Sequence, residues 1–539
     1  MMRNYRNGYI EHCRDLADYF CPRRYRWLPS PNQQTKNTPQ LNSHIIDSTG
    51  VVAARTLSAG MLSGISSPSR PWFKLRVAGY DRDQENIVNR WLSVCEQRLM
   101  TIFHESNFYH AIATVYNDLV IFGTAPMIIY EDAEDVVRCY NLAQNEYFLG
   151  ASDRGNIDTL AREFTLSGSQ AQKQFPDGQY TDTLKQIIAM GEKAKDREII
   201  VRHIIEPNVG PSPVPKKFKY REIYYESTAS EDQYLKYGGF EECPFIAPRW
   251  DVVANEPYGY SVGMDALGDV KQLQQETKRK AQGIDKMTNP PMVADIALRN
   301  QPATMLPGGV TYVPGFAGTG KPAFSPAYQI NPPLNHLTED LREIQMRIKT
   351  TFFNDLFLMI SQLDTVRSAT EIDARREEKL VLLGPVLERF QNEAQDPTIE
   401  RVFNIAYRKG IFPEPPPEIG KLPVEIEYVS MLAQAQRSVA TTSIERSFAF
   451  AGNLAGQFPT ILDNLDADQA LVIYTNLMNA PPTMVRPKTQ VDAIREQRSQ
   501  ELAAQQEQAQ LAELVAGAKT MSETQVGGGQ NALQMMTGL

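Results

Sequence analysis

The sequence is short of the residues that carry redox and metal chemistry, with five cysteines and six histidines in 539 residues. Cys13, Cys21, Cys95, Cys139 and Cys243 are widely spaced, odd in number and free of any C-x-x-C pair, which argues against a zinc site or a disulfide framework. We read them as free thiols of a reducing compartment. The histidines, at positions 12, 44, 104, 110, 203 and 336, show neither H-E-x-x-H nor H-x-E spacing, so metal catalysis has no support. Long apolar runs are missing too. The start, Met1-Met-Arg-Asn-Tyr-Arg6, lacks the apolar core of a signal peptide. The most apolar helical stretch, Thr350 to Ile360, is broken by Asn354 and Asp355 and is too short for a bilayer. A cytoplasmic protein is expected. Basic charge is also scarce: 55 Lys and Arg stand against 64 Asp and Glu, for a net charge of −9. That argues against a broad basic face gripping nucleic acid, though not against a surface that lets DNA pass.

What is present is the composition of an ordinary soluble protein, 42% hydrophobic and 22% charged. The chain is long enough for several packed units, because single cores stop growing at roughly 250–300 residues. One motif imitates chemistry. Gly315-Phe-Ala-Gly-Thr-Gly-Lys321 matches the phosphate-binding loop G-x-x-x-x-G-K-[ST] until its last position, which is Pro322. That loop needs a hydroxyl for Mg²⁺ and a helix opening behind it. Pro322, Pro326, Pro332 and Pro333 exclude the helix until about Leu334, so this is a Gly-rich loop. No G-x-S-x-G elbow occurs, and the pairs Glu131-Asp132 and Glu377-Glu378 read as solvated charges. We expect no catalytic, metal or cofactor residues and no enzyme.

The first hundred-odd residues read as helical, with Leu41–Leu62 ending near Gly60 and Gly64, then a strand at Trp72–Val77. Helices are expected at Asn86–Glu105 and Phe108–Phe122. Short strands are expected at 127–130, 136–140, 146–149, 198–205, 218–226 and 245–250. Two long helices follow. Ser261 to Met287 carries a narrow apolar stripe (Met264, Leu267, Val270, Leu273, Ala281, Ile284, Met287), and 334–360 carries another (Leu337, Leu341, Ile344, Ile348, Phe352, Leu356). A Pro/Gly-rich stretch with β-type pieces such as Gly309–Val313 separates them. So narrow a stripe cannot build a core alone. It packs either as an ordinary antiparallel hairpin in a larger core or against copies of itself. After a polar break at 362–367, Ser368 or Thr370 could cap a helix running to about Glu393, with a kink at Gly384-Pro385. Thr398–Lys409 is helical and stops at Gly410, and Pro413–Pro417 is a rigid connector. Val424–Val429 alternates as a strand that could return to the first region. Helices are read at about 431–457, 459–479 and 488–519, then a flexible tail.

The order of these pieces resembles the head-to-tail connector, or portal, family of short-tailed bacteriophages (podoviruses) over most of residues 1–430. The resemblance is carried by Asp47-Ser-Thr-Gly50, Ser67-Pro-Ser-Arg-Pro-Trp-Phe73, Asn107-Phe108 and Leu119-Val-Ile-Phe-Gly-Thr124. It continues through Tyr258-Gly259, Met264-Asp-Ala-Leu267, Asp269-Val-Lys-Gln-Leu273 and Arg367-Ser-Ala-Thr-Glu-Ile372, with Leu383-Gly-Pro385 and Arg389. It implies an α+β portal fold assembled as a dodecameric ring: a mixed α/β wing (1–255), stem helix 1 (256–287), a small Pro/Gly-rich, β-containing clip (288–333), stem helix 2 (334–360) and a tunnel loop (361–368). A kinked helix returning to the wing (369–430), a helical crown or barrel (431–520) and the tail (521–539) complete it.

The resemblance further implies a role in genome packaging and DNA ejection at one capsid vertex, in a virion assembled in the host cytoplasm. The implied partners are the major capsid and scaffolding proteins, the terminase large subunit, tail adaptor and tail proteins, and double-stranded DNA passing without sequence preference. No cofactor is implied. Arg367 and Lys349, with Gln362 and Thr365, are candidates for transient phosphate contacts in the channel; intersubunit ion pairs are the alternative for Arg367 and Lys349. Tyr312, Phe316, Lys321 and Phe324 are candidates for docking partners at the clip. Leu267, Val270, Leu273, Leu341, Ile344 and Ile348 are the expected stem-packing residues. Competing readings are a tail adaptor, an internal ejection protein or the packaging ATPase.

Overall fold

The computed structural model describes residues 2–27, 44–77, 82–191, 197–230, 233–294, 324–326, 333–355, 383–417, 424–428, 444–454, 465–477 and 488–523. They form two compact units, the first built from Met1–Trp72, Gln97–Phe412 and Ser430–Gln436, the second from Phe73–Glu96, Pro413–Val429 and Arg437–Leu539.

In the first unit, helices α1 (Met2–Phe20), α2 (Thr49–Ile65) and α4 (Phe108–Phe122) precede the β region; α3 (Arg82–Glu105) has residues in both units. Helix α4 ends where Gly123 takes the left-handed conformation (φ +81°), its N–H returning to the Leu119 carbonyl. The strands are β2 (Met127–Glu131), β3 (Val137–Asn141), β4 (Tyr147–Ala151), β5 (Ile157–Ser167), β6 (Glu198–Pro207), β7 (Tyr220–Glu226), β8 (Lys236–Phe240) and β9 (Phe245–Ile246). They make a three-stranded sheet of order β3-β2-β9 and a five-stranded antiparallel meander, β4-β5-β6-β7-β8. Period-2 alternation decides which face is covered: in β6, Ile199, Val201, His203 and Ile205 point inward. Two apolar clusters lie on that inner face. One gathers Ile128, Tyr147, Leu160, Ile205 and Phe245. The other gathers Phe175, Leu184, Val201 and Tyr224 beneath α5 (Gly168–Gln174) and α6 (Asp182–Met190). At the edge of the second cluster a buried polar network forms. The Arg162 side chain donates to His203 Nδ1 at 2.8 Å, His203 Nε2 bonds Glu222 at 2.9 Å, and Tyr130 donates to Glu222 at 2.6 Å. Tyr224 stacks on His203 with ring centroids 4.0 Å apart.

Helices α7 (Val262–Thr288) and α8 (Leu334–Thr351) follow, with a short antiparallel ladder of β10 (Met292–Ala294) and β11 (Phe324–Pro326) between them in sequence. Helical residues 383–390 continue through a π turn (Gln391–Gln395) into α9 (Asp396–Arg408), which stops before Gly410 at φ +67°.

In the second unit, β1 (Phe73–Val77) pairs antiparallel with β12 (Val424–Tyr428), so the strand read at 424–429 is observed and has a partner. Arg76 and Glu427 join across the pair at 2.8 Å. The C-terminal part holds helical residues 444–454, α10 (Ala467–Leu477) and α11 (Lys488–Glu523).

Several boundaries differ from the sequence reading. The helix expected over 41–62 starts at Thr49, with Asp47 accepting the Thr49 N–H at 2.8 Å just before it. The second long helix ends at Thr351 rather than continuing to Ile360, because Phe353 turns to φ +52°. Gly384 and Pro385 lie within helical residues 383–390, and a π turn follows at Gln391–Gln395. Strands β5 and β8 and helices α5 and α6 were not anticipated. The expected β piece at 309–313, the loop at 315–322 and the tail beyond Glu523 lie outside the described residues.

Candidate functional site

Helices α7 and α8 pack against each other, and the start of α7 is set into the end of α4. Ser261 caps α7 by accepting the Met264 N–H at 3.0 Å while its own hydroxyl donates to the Ile121 carbonyl at 2.7 Å. The Gly259 N–H donates to Thr124 Oγ1 at 2.7 Å, and the Trp250 N–H to the Gly123 carbonyl at 2.9 Å. Gly259 faces the backbone of Gly123 so closely that neither position has room for a side chain. Two segments that carried the family resemblance, Leu119–Thr124 and Tyr258-Gly259, are thus the two halves of one joint.

Arg249 braces this joint. Only 4% of its side chain is exposed, and it donates to both carboxylate oxygens of Glu393 (2.6 and 3.2 Å) and to the carbonyls of Glu256 (2.8 Å) and Gly155 (2.9 Å). Glu393 also accepts the Arg249 backbone N–H at 2.9 Å, and it projects from the π turn. A buried guanidinium needs such complete pairing, since an unpaired buried charge is strongly unfavourable.

From this joint the hairpin divides into two halves of different character. In the near half, Leu267, Val270, Leu273, Leu341, Ile344 and Ile348 are all buried, the last at 0% exposure. Helix α1 supplies Phe20, edge-on to Phe352 at 5.6 Å, and α2 approaches through Gly50, where an added Cβ would lie 2.9 Å from Val270. These six residues are covered by the chain's own helices. In the far half, Gln275–Thr288 is mostly exposed, and stripe residues Ala281, Ile284 and Met287 face solvent. Within the near half, Met346 on the outer face of α8 is also exposed. Charged and polar side chains link the two helices along the way, with Arg347 to Asp269 at 3.1 Å and Lys280 to Thr338 at 2.8 Å.

A polar bracket sits at the end of the near half on α7 and within the near half on α8. Gln274, buried on α7, accepts the N–H groups of Ile46 (2.7 Å) and Asp47 (2.8 Å) and donates to the Asp47 carbonyl at 2.8 Å. Gln345 on α8 donates to Asp47 Oδ2 at 2.8 Å. Burial would raise the Asp47 pKa, but the bonds from Thr49 and Gln345 and the charge of Lys349 outweigh it and hold the carboxylate below its usual range.

Among the expected site residues, Lys349 is exposed near the end of α8 and acts on Asp47 through its charge. Phe324 opens β11 opposite Ala294. Arg367, Gln362, Thr365, Tyr312, Phe316 and Lys321 lie outside the described residues. Sequence reasoning missed Gln274, Gln345, Arg249 and Glu393. For Gln274 a signal existed: it falls at a helical step after Leu267 and Val270, so a polar residue occupied a stripe position.

The comparisons with known proteins agree with one another. The family model for bacteriophage head to tail connecting proteins matches residues 1–485. The portal protein of Salmonella phage epsilon15 is 40% identical over 529 residues, covering 97% of this chain and 94% of that protein. The probable portal protein of Bordetella phage BPP-1 is 37% identical over 510 residues, covering 94% and 91%.

Proposed function

The chain belongs to the bacteriophage head-to-tail connecting protein family and acts as a portal subunit, a structural part of the virion rather than an enzyme, and from that premise we propose how its parts share the task. Copies close into a ring, a dodecamer by the family resemblance, with α7 and α8 as the stem around an axial channel for double-stranded DNA. The observation that carries this reading is the far half of the hairpin. Its apolar positions Ala281, Ile284 and Met287 are left open by the described chain, and a neighbouring hairpin would cover them.

The channel is close to neutral by this reading, because each phosphate neutralised by a basic side chain would add salt-dependent affinity and hinder passage. Lys349 and Arg367, with Gln362 and Thr365, supply transient contacts beside the 361–368 loop. The segment 288–333, with Tyr312, Phe316, Lys321 and Phe324, docks the terminase during packaging and tail adaptors afterwards. Capsid and scaffolding proteins surround the ring, and assembly takes place in the host cytoplasm. Similarity to portals over nearly the whole chain favours this over an adaptor, an ejection protein or a packaging ATPase, and Pro322 removes the hydroxyl the last would require. Negative-stain imaging of the purified chain tests the proposal. Rings with a central opening are expected; solid particles or monomers at micromolar concentration would overturn it.

A further inference from the structure

The exposed arm of α7 begins just beyond Gln274, and Gln274 and Gln345, on the two helices, hold the same partner. Gln274 has its carbonyl oxygen shared by two backbone N–H groups and its amide nitrogen on the Asp47 carbonyl. Asp47 divides its carboxylate between α2 and α8: Oδ1 takes the Thr49 N–H at 2.8 Å and Oδ2 takes the Gln345 amide at 2.8 Å. A single residue, Asp47, two positions ahead of α2, is therefore bonded to both stem helices at once. Gln274 is buried, Asp47 and Gln345 are half-buried, and their bonds fix geometry in a way that apolar contacts do not, because hydrogen bonds have direction. Beyond Gln274, helix α7 continues to Thr288. At 1.5 Å per residue that arm is about 20 Å long, so a 10° change at its base moves its tip by about 3.5 Å.

We propose that Asp47 is the positioning residue of the stem hairpin, fixing through Gln274 and Gln345 the angle at which α7 and α8 leave the core. The role rests on the stem reading given above. Lys349 supports it from a distance by favouring the ionised carboxylate. The geometry also ties the chain ahead of α2 to the hairpin: a displacement of Ile46-Asp47 pulls on both helices together. Neither end of the bracket can shift alone without leaving the Gln274 amide or the Asp47 carboxylate short of partners.

Hydrogen exchange read by mass spectrometry on the full-length chain tests this, with wild type, Asp47→Ala, Asp47→Asn and Gln345→Ala compared. Asp47→Ala and Gln345→Ala should speed exchange about tenfold in Gln275–Thr288 and in the first turns of α8, as expected from loss of one or two such bonds. Exchange in the five-stranded sheet should not change. Asp47→Asn can keep both side-chain bonds once the Gln345 amide turns over, and it should stay within about twofold of wild type. Unchanged exchange in the far half of the hairpin for Asp47→Ala would overturn the proposal. So would equal acceleration in hairpin and sheet, which would mark a general loss of stability. Imaging the same wild-type sample keeps the two readings apart: absence of rings would remove the stem reading, while the exchange pattern would still decide whether Asp47 holds the hairpin.

Discussion

Replacing Gly263 by alanine should loosen the joint that holds α7, and the size of the effect follows from the distances. A Cβ at Gly263 would lie 2.7 Å from the Ile121 carbonyl oxygen and 3.2 Å from its Cα, and both are backbone atoms that cannot rotate away. An ordinary contact requires α4 and α7 to separate by roughly half an ångström or more. Overpacking of this kind costs about 1–3 kcal/mol. The same carbonyl accepts the Ser261 hydroxyl at 2.7 Å, a bond worth about 0.5–1.5 kcal/mol that the displacement would weaken. Better helix propensity returns at most about 1 kcal/mol, so a net loss of about 2 kcal/mol, between about 0.5 and 3.5, is expected. Gly268 is the control on the same helix: a Cβ there meets nothing within 4 Å. Gly268→Ala should stabilise by up to about 1 kcal/mol. Urea unfolding followed by tryptophan fluorescence would separate the two variants, because the side chain of Trp250 is buried and its backbone N–H donates to the Gly123 carbonyl within the joint. If Gly263→Ala unfolded at the same urea concentration as wild type, the close approach of α4 and α7 would be wrong.

Two further outcomes are expected. Glu393→Ala leaves the guanidinium of Arg249 buried without its carboxylate and should destabilise the first unit by about 3–5 kcal/mol, with Glu393→Gln milder; limited proteolysis around residues 249–256 would check it. Burial pushes His203 down to about 4, so the folded protein holds it neutral. Its folded value lies below that of the unfolded chain, so its contribution is whole above about pH 6.5 and fades as the pH falls toward 4, a loss of up to about 3 kcal/mol. His203→Gln should flatten the stability profile across that window; an identical slope in the variant would exclude His203 as the source.

The long periodic elements were legible because helix stripes and strand alternation survive in sequence whatever surrounds them. Val262–Thr288 was placed within a residue or two, and Phe108–Phe122 matched throughout. Strand β5 was hidden by its charges, since Arg162 and Glu163 sit in the middle of the strand and spend their charge on His203 and Arg202 of the neighbouring strand. Helix α5 is short and mostly polar and α6 spans only nine residues, so neither shows a long stripe, and Ser167 and Thr181 cap them. The source of cover for the hairpin could not be read at all. An apolar stripe shows that something lies against it, and only the structure assigned the near half to α1 and α2.

The Arg162–His203–Glu222 chain has one more effect, on strand register. Sliding β6 past β5 by two residues would return every apolar side chain to the side it occupies now, so grease alone cannot tell the two alignments apart. The slipped sheet would carry His203 away from Arg162 and from Tyr224, leaving a fully buried imidazole without its partners. A handful of directional contacts thus acts as the notch that admits a single alignment of an otherwise forgiving pleat.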